Sequence, residues 1–520
     1  MAGDVLDGRL GPGRFVWLHA RESVRAAEDL TAPVNDPPHS ARHRSKGPGA
    51  PAMADSEELH TGTSERQLRQ GALGTTGIAL IVLSAAAPLT VMAGIAPLSI
   101  LLGGIGAPSG YMVAAVVMGL FAVGFLAMTK YVERPGAFYA YVERGLGRRA
   151  GSGAGLLALL AYNGIQISGY AILGSSSDLV LRTFFGMHVH WAVPAVLGVG
   201  LVWALGHRGV EVGARVLGVL LGAEAVVLAL VAGSIVVQGG AHGLALDSFH
   251  PSHTFTAGMA AALTVCFGSF LGFESTAVYR SEARDPDRSV PRATVAALAF
   301  LGVFYTFVLW SIIQAFGPEG SVSVATENTR DMYYIAAERY TGAWIADVMK
   351  VLILTSVIAS ALAFHNTVNR YTHSLSVQGM LPAALSRVHP VHRSPSTAGA
   401  WQSLLAIVVI IGFAATGSDP YRTMLIWLNT PGIIGVVFLQ AITALAVVVF
   451  FWRNPGLPHR SPVLGVALVS LVLMTSVTAV LIRYTDILTG AGRATNAVLV
   501  GLVFVVLLLG FLRPAPRFEE

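Results

Sequence analysis

The feature that most constrains this chain is a series of long apolar runs separated by short polar and charged clusters. The hydrocarbon core of a bilayer is about 30 Å thick, and a helix of about 20 apolar residues crosses it. Twelve runs approach or exceed this length: 75–101, 108–129, 152–175, 189–207, 213–238, 256–278, 293–316, 342–372, 397–417, 421–451, 462–484 and 494–512. The sequence therefore predicts an all-α integral membrane protein with about 12 transmembrane helices.

The amino-acid composition supports a membrane location and excludes several other classes of protein. Hydrophobic residues make up 54% of the chain and charged residues 12%, whereas soluble domains carry roughly 25% charged residues. The basic residues behind the net charge of +5 are spread between the apolar runs, so we predict no nucleic-acid partner. The single cysteine, Cys266, excludes an intramolecular disulfide, and neither a Walker A motif nor a metal-ligand spacing occurs. We expect no cofactor, no metal site and no enzymatic activity.

The two ends of the chain differ from the apolar region between them. Residues 1–70 lack the apolar segment of a signal peptide and are rich in Arg, Pro, Gly, Asp and Glu, which predicts a disordered cytoplasmic tail. We interpret Met53 as the native start, which would make residues 1–52 either an extension that is not native or a dispensable tail. The remaining chain divides into a core of spans one to ten over 71–451, two additional spans over 452–512, and a cytoplasmic tail over 513–520.

The distribution of Lys and Arg predicts the orientation. With both termini in the cytoplasm, the inner loops contain sixteen basic residues and the outer loops seven, as the positive-inside rule requires. Frequent Ala, Gly and Arg with scarce Lys are typical of a bacterial genome rich in G and C. We therefore expect a multi-pass protein of the bacterial plasma membrane, with the lipid bilayer as a partner. The sequence indicates no oligomeric state.

Two of the twelve spans contain residues that interrupt helices. The first span reads IVLSAAAPLTVMAGIAP, with Pro88 near its middle, and the sixth reads TVCFGSFLGFES, with Gly268 and Gly272 near its centre. Exposed backbone inside a membrane is tolerated where it lines a cavity, and interruptions at matching positions of two halves indicate a binding site. One such residue alone is more typical of a simple kink, but two interruptions five spans apart favour a site. Asn429, Thr430 and Pro431 in span ten mark a third candidate interruption.

Three short stretches of sequence suggest a family. YVERPGAFYAYVERGLGRRAG follows span two, FGSFLGFESTAVYRSEARDPDRSVPRA closes span six, and NRYTHSLSVQGMLP follows span eight. In their order and spacing they resemble motifs of the amino acid–polyamine–organocation permease superfamily. The resemblance covers about residues 70–450.

The resemblance implies a 5+5 inverted-repeat (LeuT-like) core plus two C-terminal helices, alternating access, and a substrate bound between the interruptions of spans one and six. In that arrangement a substrate carboxylate meets free backbone N–H groups and an ammonium group meets free carbonyls. The implied substrate-binding residues are Ser84, Ala85, Ala86, Ala87, Pro88, Leu89, Phe267, Gly268, Ser269, Phe270 and Gly272. This chain departs from the family pattern in having alanines and a proline at the first interruption, which weakens carboxylate binding there. Gly268 stands where some relatives have a bulky aromatic gate, which favours either a larger substrate or another gate, for which Phe267, Phe270 and Phe273 are the nearby candidates.

Polar residues within spans are the remaining candidates, since ionisable groups in a membrane are costly and frequently functional. Glu224, deep in span five, is a candidate proton carrier because burial favours a neutral carboxyl group, although a purely structural role is also compatible. Glu274 is either a gate or backbone cap, or an interfacial carboxylate paired with Arg280 or another cation. Asn163 and Gln166 share a face of span three and line the site or join helices.

Ser356 and Ser360 lie one turn apart in span eight, where the alternatives are a sodium site and packing between helices. Together these features predict a secondary transporter of amino acids or related amines, most simply a proton-coupled importer. An exchanger of substrate for product without a coupling ion is the alternative within the same class. A membrane sensor that does not transport is the alternative outside it.

Overall fold

The computed structural model describes residues 74–132, 137–208, 210–274, 276, 280 and 283–513. The predicted N-terminal tail over 1–70, Met53 and all but the first residue of the C-terminal tail lie outside these residues. Within them every regular element is a helix, and no β-strand occurs. The all-α prediction is therefore confirmed for the part of the chain that the structure describes.

Seven α-helices are described between Thr75 and Val237. They are α1 (Thr75–Ala86), α2 (Pro97–Gly103), α3 (Ala107–Thr129), α4 (Ala137–Leu146), α5 (Arg148–Phe185), α6 (Ala192–His207) and α7 (Val210–Val237). A π-helix, Thr90–Ile95, precedes α2, and a 3-10 helix, Gly104–Gly106, follows it. Gly104 has a φ of 65°, which turns the chain between α2 and α3.

The described chain beyond this point contains eleven further α-helices. They are α8 (Pro251–Thr254), α9 (Ala257–Gly268), α10 (Pro286–Phe316), α11 (Pro318–Glu327), α12 (Met332–Thr341), α13 (Ala343–Val377), α14 (Ser396–Ala415), α15 (Ile426–Arg453), α16 (Arg460–Arg483), α17 (Thr485–Thr489) and α18 (Arg493–Leu512). Short 3-10 helices occupy Asp247–Phe249 and Ala383–Ser386, and a π-helix, Pro420–Leu425, leads into α15.

Nine helical runs in the described residues are long and apolar enough to cross a membrane. They are Thr90–Thr129, Arg148–Phe185, Gly218–Val237, Pro286–Phe316, Ala343–Val377, Ser396–Ala415, Pro420–Arg453, Arg460–Arg483 and Arg493–Leu512. The apolar helices α6 and α9 are shorter, and the turn at Gly104 divides the first run between predicted spans one and two. The protein is therefore a multi-pass α-helical membrane protein. The count of twelve spans and the inverted repeat remain predictions.

Two details of the structure differ from the sequence expectation. Pro431 does not interrupt span ten, because α15 continues through it, and the irregular segment is the π-helix about two to three turns earlier. The sequence also predicts a short amphipathic surface helix over RDMYYIAAERY (330–340). A helix, α12, does form there, but Tyr333 and Tyr334 on it are buried, so it packs onto the protein and does not simply lie at the surface.

Helix packing positions the interrupted segments at the centre of the protein. α1 contacts α7, α10 and α13, and α9 contacts α2 and α3. The long helix α5 packs against α13 and α15 and also against α18 near the C-terminus. Side chains from α7, α10 and α13 therefore reach the end of α1 from three directions.

Candidate functional site

The first interruption lies between α1 and the π-helix that follows it. Ala87 has a φ of 40°, a left-handed backbone conformation that costs a non-glycine residue about 1–2 kcal/mol. Pro88 begins the next helical segment, where the missing N–H of proline would have no intrahelical partner. The predicted interruption of span one is therefore confirmed. The neighbouring candidate residues occupy the last turn of α1 and the position after Pro88: Ser84, Ala85, Ala86 and Leu89.

Side chains from two other helices bind the backbone groups released at this interruption. The hydroxyl of Tyr305 on α10 donates a hydrogen bond to the carbonyl oxygen of Ala86 at 2.9 Å. The carboxylate of Glu224 on α7, which is 1% exposed, accepts one from the backbone N–H of Leu89 at 3.3 Å. The sequence placed Glu224 deep in a span, but its contact with the first interruption became visible only in the structure.

Ser356 on α13 completes this arrangement. Its hydroxyl donates to the Glu224 carboxylate at 2.7 Å and accepts from both the backbone N–H and the hydroxyl of Thr90, at 3.2 and 2.9 Å. A serine hydroxyl has one donor and two lone pairs, so these three bonds use its full capacity. In this conformation Ser356 has no lone pair left for a sodium ion. Ser360, one turn further along, lines the adjacent cavity.

The second interruption follows the end of α9 at Gly268. Gly272, four residues further on, has a φ of 108°, which is incompatible with regular helix, so the predicted interruption of span six is confirmed. The carboxyl group of Glu274, which is fully buried, accepts a hydrogen bond from the backbone N–H of Gly272 at 3.0 Å and another from the hydroxyl of Tyr162 on α5. A buried glutamate therefore binds the backbone of each interruption.

The contacts of Glu274 distinguish its two predicted interpretations. It caps backbone at the second interruption, as one interpretation expected. Arg280, the cation named in the other interpretation, forms an ion pair with Asp287 at 2.8 Å. The contacts of Glu274 with Gly272 and Tyr162 therefore favour the capping interpretation.

A cavity of about 100 Å³ lies between the two interruptions. Its lining includes six of the predicted site residues, namely Ala86, Ala87, Gln166, Gly268, Ser269 and Ser360. Its other polar lining residues are Thr90, Ser168, Thr264, Asn429 and Thr430. None of the described lining residues is acidic, basic or a histidine. The cavity therefore offers hydroxyl and amide groups but no side-chain charge.

Several predicted residues lie behind this cavity. Phe270 packs among the aromatic rings of Tyr111 and Tyr305, with centroid separations of 6.4 and 6.1 Å, and Phe267 is fully buried. Glu224, Glu274 and Ser356 accept hydrogen bonds from backbone N–H groups at the interruptions but do not line the cavity. The predicted residues outside the lining also include Pro88, Leu89, Asn163 and Gly272.

The space beside Gly268 is occupied, contrary to the expectation of extra room for a larger substrate. A Cβ atom on Gly268 would lie 2.7 Å from the Cδ1 atom of Ile433 on α15. Glycine thus permits close packing of α15 against the end of α9. Ile433, which the sequence did not single out, covers this part of the cavity.

A chain of polar side chains leads away from Gln166. The amide oxygen of Gln166 accepts a hydrogen bond from Gln402 on α14, whose own amide oxygen lies 2.7 Å from Nδ1 of the buried His365. The Gln166 amide nitrogen donates to the hydroxyl of Tyr170 at 3.2 Å. The polar face predicted on span three therefore both lines the cavity and joins helices. Gln402 carried no sequence signal, because an isolated glutamine in an apolar run is also typical of helix packing.

Contacts on the predicted external side close over the cavity. The hydroxyl of Tyr421 donates to the carbonyl oxygen of Gly94 in the first π-helix. The Arg330 guanidinium lies 4.7 Å above the Tyr421 ring and forms an ion pair with Asp419 at 3.1 Å. These contacts link the segment before α12, the start of span ten and the second half of span one.

Comparison with known proteins identifies the family to which this arrangement belongs. The family model for amino acid permeases matches residues 73–509. This chain belongs to the amino acid permease family. The match includes both interruptions and all the residues of the cavity, and it confirms the family resemblance inferred from the three sequence stretches.

Individual relatives of this family member are distant. An uncharacterized transporter of Mycobacterium tuberculosis is 26% identical over 310 residues, which cover 59% of this chain and 65% of that protein. A methylthioribose transporter of Bacillus subtilis is 22% identical over 360 residues, or 66% of this chain and 73% of the relative. A low-affinity putrescine importer of Escherichia coli is 24% identical over 311 residues, or 56% and 65%. The matched part of this family member thus spans about two thirds of the length of these curated relatives.

Proposed function

We propose that this protein is a secondary active transporter that imports amino acids or related amines together with protons by alternating access. Family membership and the multi-pass helical fold support a transporter over an enzyme. The relatives named for transport of putrescine and methylthioribose support a small organic substrate. The cavity between two helix interruptions is the proposed binding site, with both termini on the cytoplasmic side of a bacterial plasma membrane.

One observation carries the proposal of proton coupling: the Glu224 carboxylate joins the first interruption to α13. A carboxylate only accepts hydrogen bonds, whereas a protonated carboxyl group also donates one. In the structure one oxygen atom of Glu224 accepts from both the Leu89 N–H and the Ser356 hydroxyl. Adding a proton to this oxygen would require at least one of these bonds to change. Adding it to the other oxygen would leave a neutral carboxyl group, which holds both donors more weakly than a carboxylate does. Proton binding would therefore alter the segment that borders the substrate cavity.

The uptake of radiolabelled amino acids and amines into proteoliposomes tests this proposal. We expect accumulation by the wild-type protein only with an imposed inward proton gradient. Glu224→Gln retains an oxygen acceptor for Leu89 and Ser356 but cannot ionise, so accumulation driven by the gradient should be lost. The matched control is Glu319→Gln, since Glu319 is an exposed residue of α11 far from the cavity in sequence, and it should accumulate substrate like the wild type.

Two other results would change the proposal. Uptake without a gradient, but only into vesicles preloaded with substrate, would establish an exchanger and return Glu224 to a structural role. Accumulation that requires an inward sodium gradient would contradict the proton proposal and would mean that Ser356 exchanges its present partners for the ion.

A further inference from the structure

At each interruption, backbone N–H groups that a substrate carboxylate could use are already bound by side chains of this chain. At the first interruption Pro88 has no N–H, the Leu89 N–H donates to Glu224, and the Thr90 N–H donates to Ser356. At the second, the Gly272 N–H donates to Glu274 at 3.0 Å. The positions that could receive a substrate carboxylate therefore hold carboxyl and hydroxyl groups supplied by the protein.

A substrate carboxylate would also find no cationic partner in the cavity. None of the described residues lining the cavity is Lys, Arg or His. A charged group buried without a partner is strongly disfavoured. Whenever Glu224 is ionised, a second carboxylate beside it would add repulsion between like charges. To bind at the first interruption, a carboxylate would have to displace Glu224 from Leu89.

The groups that the cavity does offer suit an amine. Thr90, Ser269, Ser360 and Thr430 contribute hydroxyl oxygens, and Asn429 contributes an amide. An ammonium group has three donors and no acceptor, so it is satisfied by oxygen atoms of this kind. Glu224 and Glu274 lie buried behind the two interruptions, and no described lining residue is basic. The electrostatic environment of the cavity is therefore more favourable for a cation than for an anion.

We infer that the substrate is a small organic amine without a carboxylate group, and that Glu224 excludes amino acids by occupying the carboxylate position at the first interruption. This inference rests on the proposed transport function and narrows its substrate class. Glu224 is thus a specificity-determining residue in addition to its proposed role in proton coupling.

Matched pairs of an amino acid and its decarboxylation product provide the test. Suitable pairs are ornithine with putrescine, lysine with cadaverine, and leucine with isopentylamine. Binding is measured as thermal stabilisation of the purified protein, and transport as inhibition of counterflow, which needs no proton gradient. In the wild type we expect each effective amine to bind at least about tenfold more tightly than the matching amino acid, equivalent to about 1.4 kcal/mol.

Two substitutions of Glu224 distinguish the effect of its hydrogen-bond acceptor at Leu89 from the effect of its negative charge. Glu224→Gln keeps an oxygen on Leu89 and should retain the preference for amines. Glu224→Ala frees the Leu89 N–H and should reduce the preference about tenfold, mainly by improving binding of the amino acid. If Glu224→Ala proves too unstable to purify, Ser356→Ala frees the Thr90 N–H and should change the preference in the same direction.

Failure of this inference is distinguishable from failure of the proposed function. Amino acids that bind as tightly as their amines in the wild type, or an unchanged preference in Glu224→Ala and Ser356→Ala, would overturn the inference and leave a transporter. A folded protein that transports neither class would count against the proposed function and against the inference with it.

Discussion

At the scale of single residues, side chains distant in sequence stabilise backbone that would otherwise lack hydrogen-bond partners. The Ala87 conformation with positive φ ends α1, and Tyr305, Glu224 and Ser356 bind the polar groups released there. Leaving a buried hydrogen-bonding group unpaired costs about 1–3 kcal/mol, so each partner helps to maintain the interruption. Helix interruption in a membrane therefore depends as much on these partners as on the local Ala-Pro sequence.

The contact between Gly268 and Ile433 gives a prediction at this scale. A Cβ atom at position 268 would lie 2.7 Å from Ile433 Cδ1, and overpacking of this kind costs about 1–3 kcal/mol. We expect Gly268→Ala to reduce substrate uptake in proteoliposomes about tenfold. Ile433→Val removes the Cδ1 atom and should restore much of the uptake in the double variant.

A glycine elsewhere in the chain provides the control. A Cβ atom added to Gly233 on α7 would meet no other atom within 4 Å, so Gly233→Ala should transport like the wild type. Equal loss of uptake in Gly268→Ala with and without Ile433→Val would show that Ile433 is not the group that constrains the site.

At the scale of helices and loops, closure of the predicted external side involves three segments. The π-helix at the start of span ten contacts the π-helix of span one through Tyr421 and Gly94, while Arg330 connects the segment before α12 to Asp419. The Tyr421 hydroxyl is in a buried contact, whereas the side chains of Arg330 and Asp419 are 43% and 46% exposed. Exposed ion pairs contribute about 0–1 kcal/mol, so the tyrosine contact should matter more.

Cysteine labelling tests this ranking of the closure contacts. In a Cys266→Ala background, Ser168→Cys places a thiol in the cavity lining, and a membrane-impermeant reagent is added from outside. We expect Tyr421→Phe to increase the labelling rate about tenfold, because the Gly94 carbonyl loses a partner worth about 1–3 kcal/mol. Arg330→Gln should increase it much less. A larger effect of Arg330→Gln would reverse the ranking.

At the scale of the whole molecule, the described helices provide a membrane-embedded body whose orientation rests on charge distribution. Basic residues concentrate in the loops that the sequence places inside, and the apolar helices present exposed side chains such as Leu197 and Val498 at positions compatible with lipid contact. Orientation is a property of the whole protein, because no single loop determines the direction of insertion.

The predicted orientation is tested by placing single cysteines in two exposed loops. In the Cys266→Ala background, Leu244→Cys in the loop after α7 should be labelled by an impermeant reagent in intact cells. Gly456→Cys between α15 and α16 should be labelled only after the cells are permeabilised. The opposite pattern would show inverted insertion, and labelling of both in intact cells would contradict the predicted number of spans between them.

The sequence by itself determined the properties that depend on local composition. Apolar runs long enough to cross a bilayer predicted the membrane-spanning helices. Pro88 and Gly272 located the two interruptions, because proline lacks an N–H and glycine adopts a positive φ. The motifs near spans two, six and eight identified the family. Pro431 was misleading, because its helix continues through it and the irregular turn lies earlier.

Only the tertiary structure decided which groups meet at those interruptions. Glu224 and Leu89 are 135 residues apart, and Ser356 and Thr90 are 266 apart, so no local pattern could pair them. Their contact depends on how α7 and α13 pack around the end of α1. For the same reason Gln402 and Ile433 were missed, since a glutamine or an isoleucine in an apolar helix acquires a role at the cavity only from the helices that pack beside it.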